Sequence, residues 1–155
     1  PDDPSFLNPP DMPRAIADYC VQTDQPAPRS AGEFARVIFE SLALKYRYVL
    51  EQAQELRGME ISRLHVVGGG SRNRMLNQYT ADALGIPVLA GPVEATAIGN
   101  ILVQAIAGKE IGGLEEARKL VAASFELTEF EPGEKAPWDQ AYERLKELLS
   151  RRGKS

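Results

Sequence analysis

The chain's 155 residues suffice for one domain with a buried core, so its size requires neither disulfide nor metal staples. With 43% hydrophobic and 26% charged residues, it has the composition of an ordinary globular chain, which excludes disorder, collagen-like repeats and fibres. A net charge of -4 without a basic stripe, and no apolar run near the roughly 20 residues of a membrane span, leave nucleic acid and membrane as unexpected partners.

Residues 1–30 carry most of the chain's 11 prolines, in "PDDPSFLNPP" and "DQPAPRS". Proline fixes φ and removes backbone donors, so this segment is predicted to be extended chain lying on the body, with a short helix at "MPRAIADYC". Its acidic start is unlike a signal peptide, and Pro1 in place of an initiator Met reads as the start of a piece of a longer chain. The lone Cys20 fits a reducing cytoplasm and is weak evidence for a nucleophile.

At "SAGE" the Ser30 hydroxyl and the Glu33 carboxylate form a capping box, which predicts a long helix up to Gly58. Phe34, Val37, Ile38, Leu42, Tyr48, Val49 and Leu56 recur at three and four residues and predict its buried stripe. Next, "RLHVV" at 63–67 and "IPVLA" at 86–90 read as short strands. The piece between them, "SRNRMLNQYTADALG", reads as a helix burying Met75, Leu76, Tyr79, Ala83 and Leu84. Strand, helix and strand together predict a βαβ unit with parallel strands and a right-handed crossover. His65, flanked by apolar residues, is expected in the core and not as a ligand.

After "GPVEA" comes a helix apolar on nearly every side through Ile106, expected between layers, with Glu94 near its positive end. Amphipathic helices follow around "LEEARKLVAAS" and "PWDQAYERLKELLSR", with Pro137 in the latter's first turn. The basic tail "RRGKS" at 151–155 reads as a solvated chain end. The predicted fold class is α/β, residues 31–155 forming the α/β core and C-terminal helices.

Gly68, Gly69 and Gly70 fall in the first strand-to-helix turn. Glycine is kept mainly where positive φ, or a close approach, excludes a Cβ. A turn that opens a helix also directs free N–H groups at whatever lies above it, where phosphates and nucleotides bind in α/β folds. No Gly-Lys-Ser/Thr ends this turn, so it is not a P-loop. Asn73 stands where a dinucleotide fingerprint has its third glycine, which argues against NAD. Spacing alone leaves two readings open: a tight turn with Ser71 capping the helix, or a cradle for a ligand. The Asn73 amide both accepts and donates, which suits the edge of an adenine or a solvated position.

The segments "FLNPPDMP", "ESLALKYRYVLE", "LHVVGGGSRNRMLNQYTADALGIPV" and "AGPVEATAIGN", in that order, make nearly the whole chain resemble the FGGY carbohydrate kinases. "AGPVEATAIGN" with "NPPDM" is similar to the members that phosphorylate L-rhamnulose at its 1-position. The resemblance implies a truncated ribonuclease-H-like domain of the actin and hexokinase type: the C-terminal part of the domain that binds ATP, with Mg2+ in the whole enzyme. It implies that Gly69 and Gly70 pack against the adenosine and α-phosphate side of the nucleotide, with Asn73 near adenine and Ser71 assisting. Glu94 and Thr96 would shape the floor, and Gly99 would let its helix approach a neighbour. The family's sugar pocket and catalytic aspartate would precede Pro1, so no catalytic residue is named and the chain alone is expected to be inactive. Strands absent from beside 63–67 would leave an edge covered by residues 1–30 or by a second copy, as a dimer. The alternatives are an interaction or regulatory module on the same fold, and a small dehydrogenase domain.

Overall fold

The proline-rich start is only partly extended. The computed structural model describes residues 1–152 and places a 3-10 turn at Pro4–Phe6 and helix α1 at Met12–Gln22. Asp11 caps α1 by accepting the Arg14 amide at 3.0 Å, and Pro13 sits in the first turn, where no intrahelical donor is needed. Phe6 packs on Tyr19 with ring centroids 5.1 Å apart. The helix buries Ile16 and Cys20, and burial pushes the Cys20 thiol up, away from a reactive thiolate. The segment is tied down by an Asp2–Lys45 ion pair and by Arg144, which donates to the carbonyls of Thr23 and Asp24.

Helix α2, Ala31–Arg57, opens where Ser30 accepts the Glu33 amide and closes at Gly58 with φ 64°. Half of the expected capping box differs: the Glu33 carboxylate accepts from the Arg29 N–H at 2.6 Å, one residue further out than Ser30. The buried face is also rotated from the predicted stripe. Ala43 and Leu44 are buried, while Ile38, Val49 and Leu56 are exposed. The seam includes Arg47, whose side chain is only 13% exposed because acids and a carbonyl hold it. A charged residue inside the seam breaks the apolar period from which the stripe is read.

Strands β1, Leu64–Val66, and β2, Val88–Ala90, are parallel, with Leu64 opposite Val88, and helix α3, Arg74–Leu84, connects them as the βαβ prediction requires. A third strand, β3 at Thr128–Phe130, pairs antiparallel with the other side of β2, giving the order β1-β2-β3. Sequence reading misses β3 because it is three residues long and only Phe130 is buried. Helix α3 lies between two layers. Its Ala81 meets Val88, Ala90 and Phe130 of the sheet, and its Ala83 meets Ala43, Leu44 and Tyr142 of the helical layer. Of the residues predicted to face inward, Ala83 is buried and Leu76, Tyr79 and Leu84 are half-buried. Met75, in the first turn, is 50% exposed, and two polar residues, Asn77 and Thr80, are the largest fully buried side chains of the helix. His65 is exposed on β1, the open edge of the sheet, contrary to its expected place in the core.

Helices α4, Ala95–Ala107, α5, Leu114–Ser124, and α6, Ala136–Arg152, complete the chain. Trp138 of α6 packs on Tyr79 with ring centroids 5.3 Å apart. Helix α4 is not the buried helix expected. It buries no residue, Ile101 and Val103 are each 65% exposed, and no atom lies within 4 Å of the Cβ that Gly99 lacks, so no close neighbour explains that glycine. An apolar pattern on all sides describes a helix that needs covering, and among the described residues this one is covered only in part, with Ile98, Leu102 and Ile106 half-buried. Residues 1–30 do not pair with the open side of β1, which remains the sheet's edge. Of the basic tail, Arg151 and Arg152 end α6 and residues 153–155 lie outside the described residues. No helix among the described residues is long and apolar enough to cross a membrane.

Candidate functional site

Between β1 and α3 the chain makes a 3-10 turn, Gly68–Arg72. With hydrogen bonds from each residue to the third before it, the first two amides of such a turn have no partner within it. The carbonyl of Pro92 accepts that of Gly68 at 3.0 Å, and the Gly70 amide closes the turn on the carbonyl of its cap residue Val67, which leaves the exposed amide of Gly69 available to an acceptor from outside. The Ser71 hydroxyl donates to the Gly68 carbonyl at 2.7 Å and closes the turn on itself. Asn73 then starts α3 as its cap: its Oδ1 accepts the Leu76 amide at 3.0 Å. Capping therefore belongs to Asn73 and not to Ser71.

The three glycines separate by what a Cβ would meet. Gly68 has φ 76°, in the left-handed region that ordinary side chains avoid, so the fold itself requires it. At Gly69 a Cβ would meet nothing within 4 Å, and at Gly70 only an ordinary contact, Val66 Cγ1 at 3.7 Å. Neither has positive φ. The chain leaves room for side chains at both positions and carries none. The tight-turn reading thus explains one glycine of three.

Beside the turn lies an open cavity of about 500 Å³, bounded by Ser71, Arg72 and Arg74 on one side and Gly91–Glu94 on another. Its third wall is Phe125, Glu126, Thr128 and Phe130, contributed by the β3 region. Arg74 lies over the Phe130 ring, its guanidinium carbon 5.6 Å from the centroid. Of the expected site residues, Ser71 and Glu94 line this cavity. Gly69, Gly70 and Asn73 belong to the turn at its rim, and Thr96 lines neither. Glu94 occupies the cap position of α4 without a capping hydrogen bond.

Sequence reasoning misses the wall at 125–130, because it misses β3. It also misses Asn77, whose Nδ2 donates to the carbonyls of Ser71 at 3.0 Å and Gly70 at 3.4 Å. The signal was present in the spacing: Asn73 and Asn77 are one helical turn apart, on one side of α3. Among the described residues no group of three His, Cys, Asp or Glu side chains comes together to hold a metal ion.

A family model described as the C-terminal domain of the FGGY family of carbohydrate kinases matches residues 1–108, which include the whole glycine turn. The rhamnulokinase of Bacteroides thetaiotaomicron is 51% identical over 149 residues, covering 96% of this chain and 31% of that protein. The chain therefore spans less than a third of the length of this relative.

Proposed function

The chain belongs to the FGGY family of carbohydrate kinases, as a C-terminal domain, and from that premise we propose that it binds the ATP or ADP of a kinase that converts L-rhamnulose to L-rhamnulose 1-phosphate. The observation that carries the nucleotide reading is the pair Gly69 and Gly70, which lack side chains where the chain would accommodate them. A ligand against the turn supplies the missing reason. The residues present fit such a ligand: Gly69, with its free amide, and Gly70 face the adenosine and α-phosphate, and Asn73 turns its Nδ2 to the base. Ser71 assists by holding the turn closed.

When bound, the nucleotide supplies the phosphoryl group. This chain's part is to bind and orient it, and none of its acids is assigned as the base. The described residues offer no metal cluster, so we assign no ligand for Mg2+, which the family reading brings in with the phosphates. The sugar is proposed to bind to the kinase's other domain.

Thermal unfolding with added ADP tests the reading. Stabilisation that grows with ADP concentration is expected, while no shift at millimolar ADP would reject it. A response to NAD instead would restore the dehydrogenase reading. A second reading, an interaction module, is favoured by one observation, the exposed apolar residues of α4. The open edge of β1 likewise supports pairing with a second copy of the chain, as a dimer.

A further inference from the structure

We propose that Asn77 is a positioning residue for the nucleotide: by donating its carboxamide nitrogen to the carbonyls of Gly70 and Ser71, it sets the shape of the glycine turn and hence the aim of the free Gly69 amide. The inference rests on the nucleotide reading of that turn. Asn77 is 1% exposed, on the side of α3 beneath the turn, and cannot itself touch a ligand. Its bonds span six and seven residues back along the chain, joining the helix to the segment before its own cap.

The orientation of the amide follows from chemistry. Backbone carbonyls only accept, so the group facing Gly70 and Ser71 must be the NH2 and not the oxygen. A buried helix position occupied by Asn needs such a reason, since Asn is a poor helix former and an apolar residue would stabilise the layer better. Without the donor, the Ser71 carbonyl loses this partner and the Gly70 carbonyl is left with the Asn73 amide at 3.1 Å. A peptide plane that rotates to free its carbonyl also rotates the amide on its other end. The planes of the Gly70 and Ser71 carbonyls carry the Ser71 and Arg72 amides, which in the 3-10 pattern donate to the Gly68 and Gly69 carbonyls. The Gly68 carbonyl shares its plane with the Gly69 N–H, so loosening the turn at Gly70 and Ser71 reaches, one bond further on, the N–H that would hold the nucleotide.

The test uses Asn77→Asp, because its effect is reversible by pH. Ionised, the aspartate sets negative oxygens against two carbonyls. Protonated, it donates one hydrogen bond in the place of the amide, and burial favours this neutral form above the ordinary carboxylate range. Two readouts are taken on the folded protein at about pH 5.5 and about pH 8: backbone amide NMR shifts of residues 69–72 without ligand, and ADP affinity relative to the wild type at the same pH. At the higher pH the turn amides are expected to move and ADP to bind about tenfold more weakly. At the lower pH both return toward the wild-type values. Unmoved turn amides, or an affinity loss equal at both pH values, would overturn the proposal. Should Asn77→Asp fail to fold, the near-isosteric Asn77→Leu carries the test, with a loss at both pH values expected and wild-type shifts and affinity overturning it. A wild type that ignores ADP while Asn77→Asp still moves the turn would reject the nucleotide reading and leave the mechanical one standing.

Discussion

Of the two polar atoms on the Asn73 side chain, Oδ1 is taken by the Leu76 amide, so two substitutions separate fold from ligand. Asn73→Ala removes both functions, and about 1 kcal/mol of stability should be lost with the cap, along with ADP affinity. Asn73→Asp keeps an oxygen for the cap and loses only the donor, so thermal unfolding should stay near wild type while ADP titration shows weaker binding. Equal ADP affinity in the aspartate variant would show that Nδ2 does not meet the base. The glycines divide the same way. Gly68→Ala forces a side chain into positive φ and should cost about 1–2 kcal/mol, whereas Gly70→Val should fold almost normally and lose ADP. That three glycines stood in a strand-to-helix turn was legible from spacing. Which of them the backbone requires was not, because φ is settled by where the next strand and Pro92 place the turn.

Between helices, Arg47 joins what the hydrophobic pattern does not. From α2 it donates to Glu51 at 2.9 Å, to Asp139 of α6 at 2.6 Å and to the Ala83 carbonyl of α3 at 3.2 Å, and it stacks 4.2 Å from the Tyr142 ring. The Tyr142 hydroxyl donates to Glu51 at 2.5 Å, and burial, then this bond, pushes its pKa up. Arg47→Met should cost about 2 kcal/mol, read by denaturant unfolding, because three elements lose a shared donor. The hydrogen bond from Arg47 holds the Asp139 carboxyl below the usual carboxylate range. A depressed folded pKa gives stability that is complete above the unfolded value and is lost as pH falls through the folded one. Denaturation midpoints of the wild type should therefore decline at acid pH, and Asp139→Asn should flatten that decline. An unchanged acid limb would remove the pair from the account. This clasp is why the buried face of α2 could not be read from apolar spacing. The ends of α2, by contrast, were legible, since Ser30 and Gly58 act locally.

At the scale of the molecule, helical layer, α3 and sheet stack in order, and the stack stops at two features not fully covered, α4 and the outer edge of β1. The βαβ unit was legible because period and turn chemistry agree over a contiguous stretch. The exposure of α4 was not, since a pattern records what a helix needs and not whether this chain supplies it. Ile101→Ser should change stability by less than about 0.5 kcal/mol, whereas Val88→Ala, in the centre of the sheet, should cost about 1–3 kcal/mol. The β1 edge yields a sharper test. Leu64 and Val66 turn their peptide groups to β2, Leu64 donating to Pro87 and Val66 accepting from Gly91. In a parallel ladder the alternate residue faces the other way, so the N–H and C=O of His65 face the open side. A second copy pairing there must use that N–H. Proline at an edge removes the donor without breaking the ladder on the inner side, so His65→Pro should retain the helical signal and thermal transition of the wild type. Light scattering coupled to size exclusion should then find a dimer for the wild type and a monomer for the variant. A wild type that stays monomeric at high concentration, or a variant that still dimerises, would place self-association somewhere other than this edge.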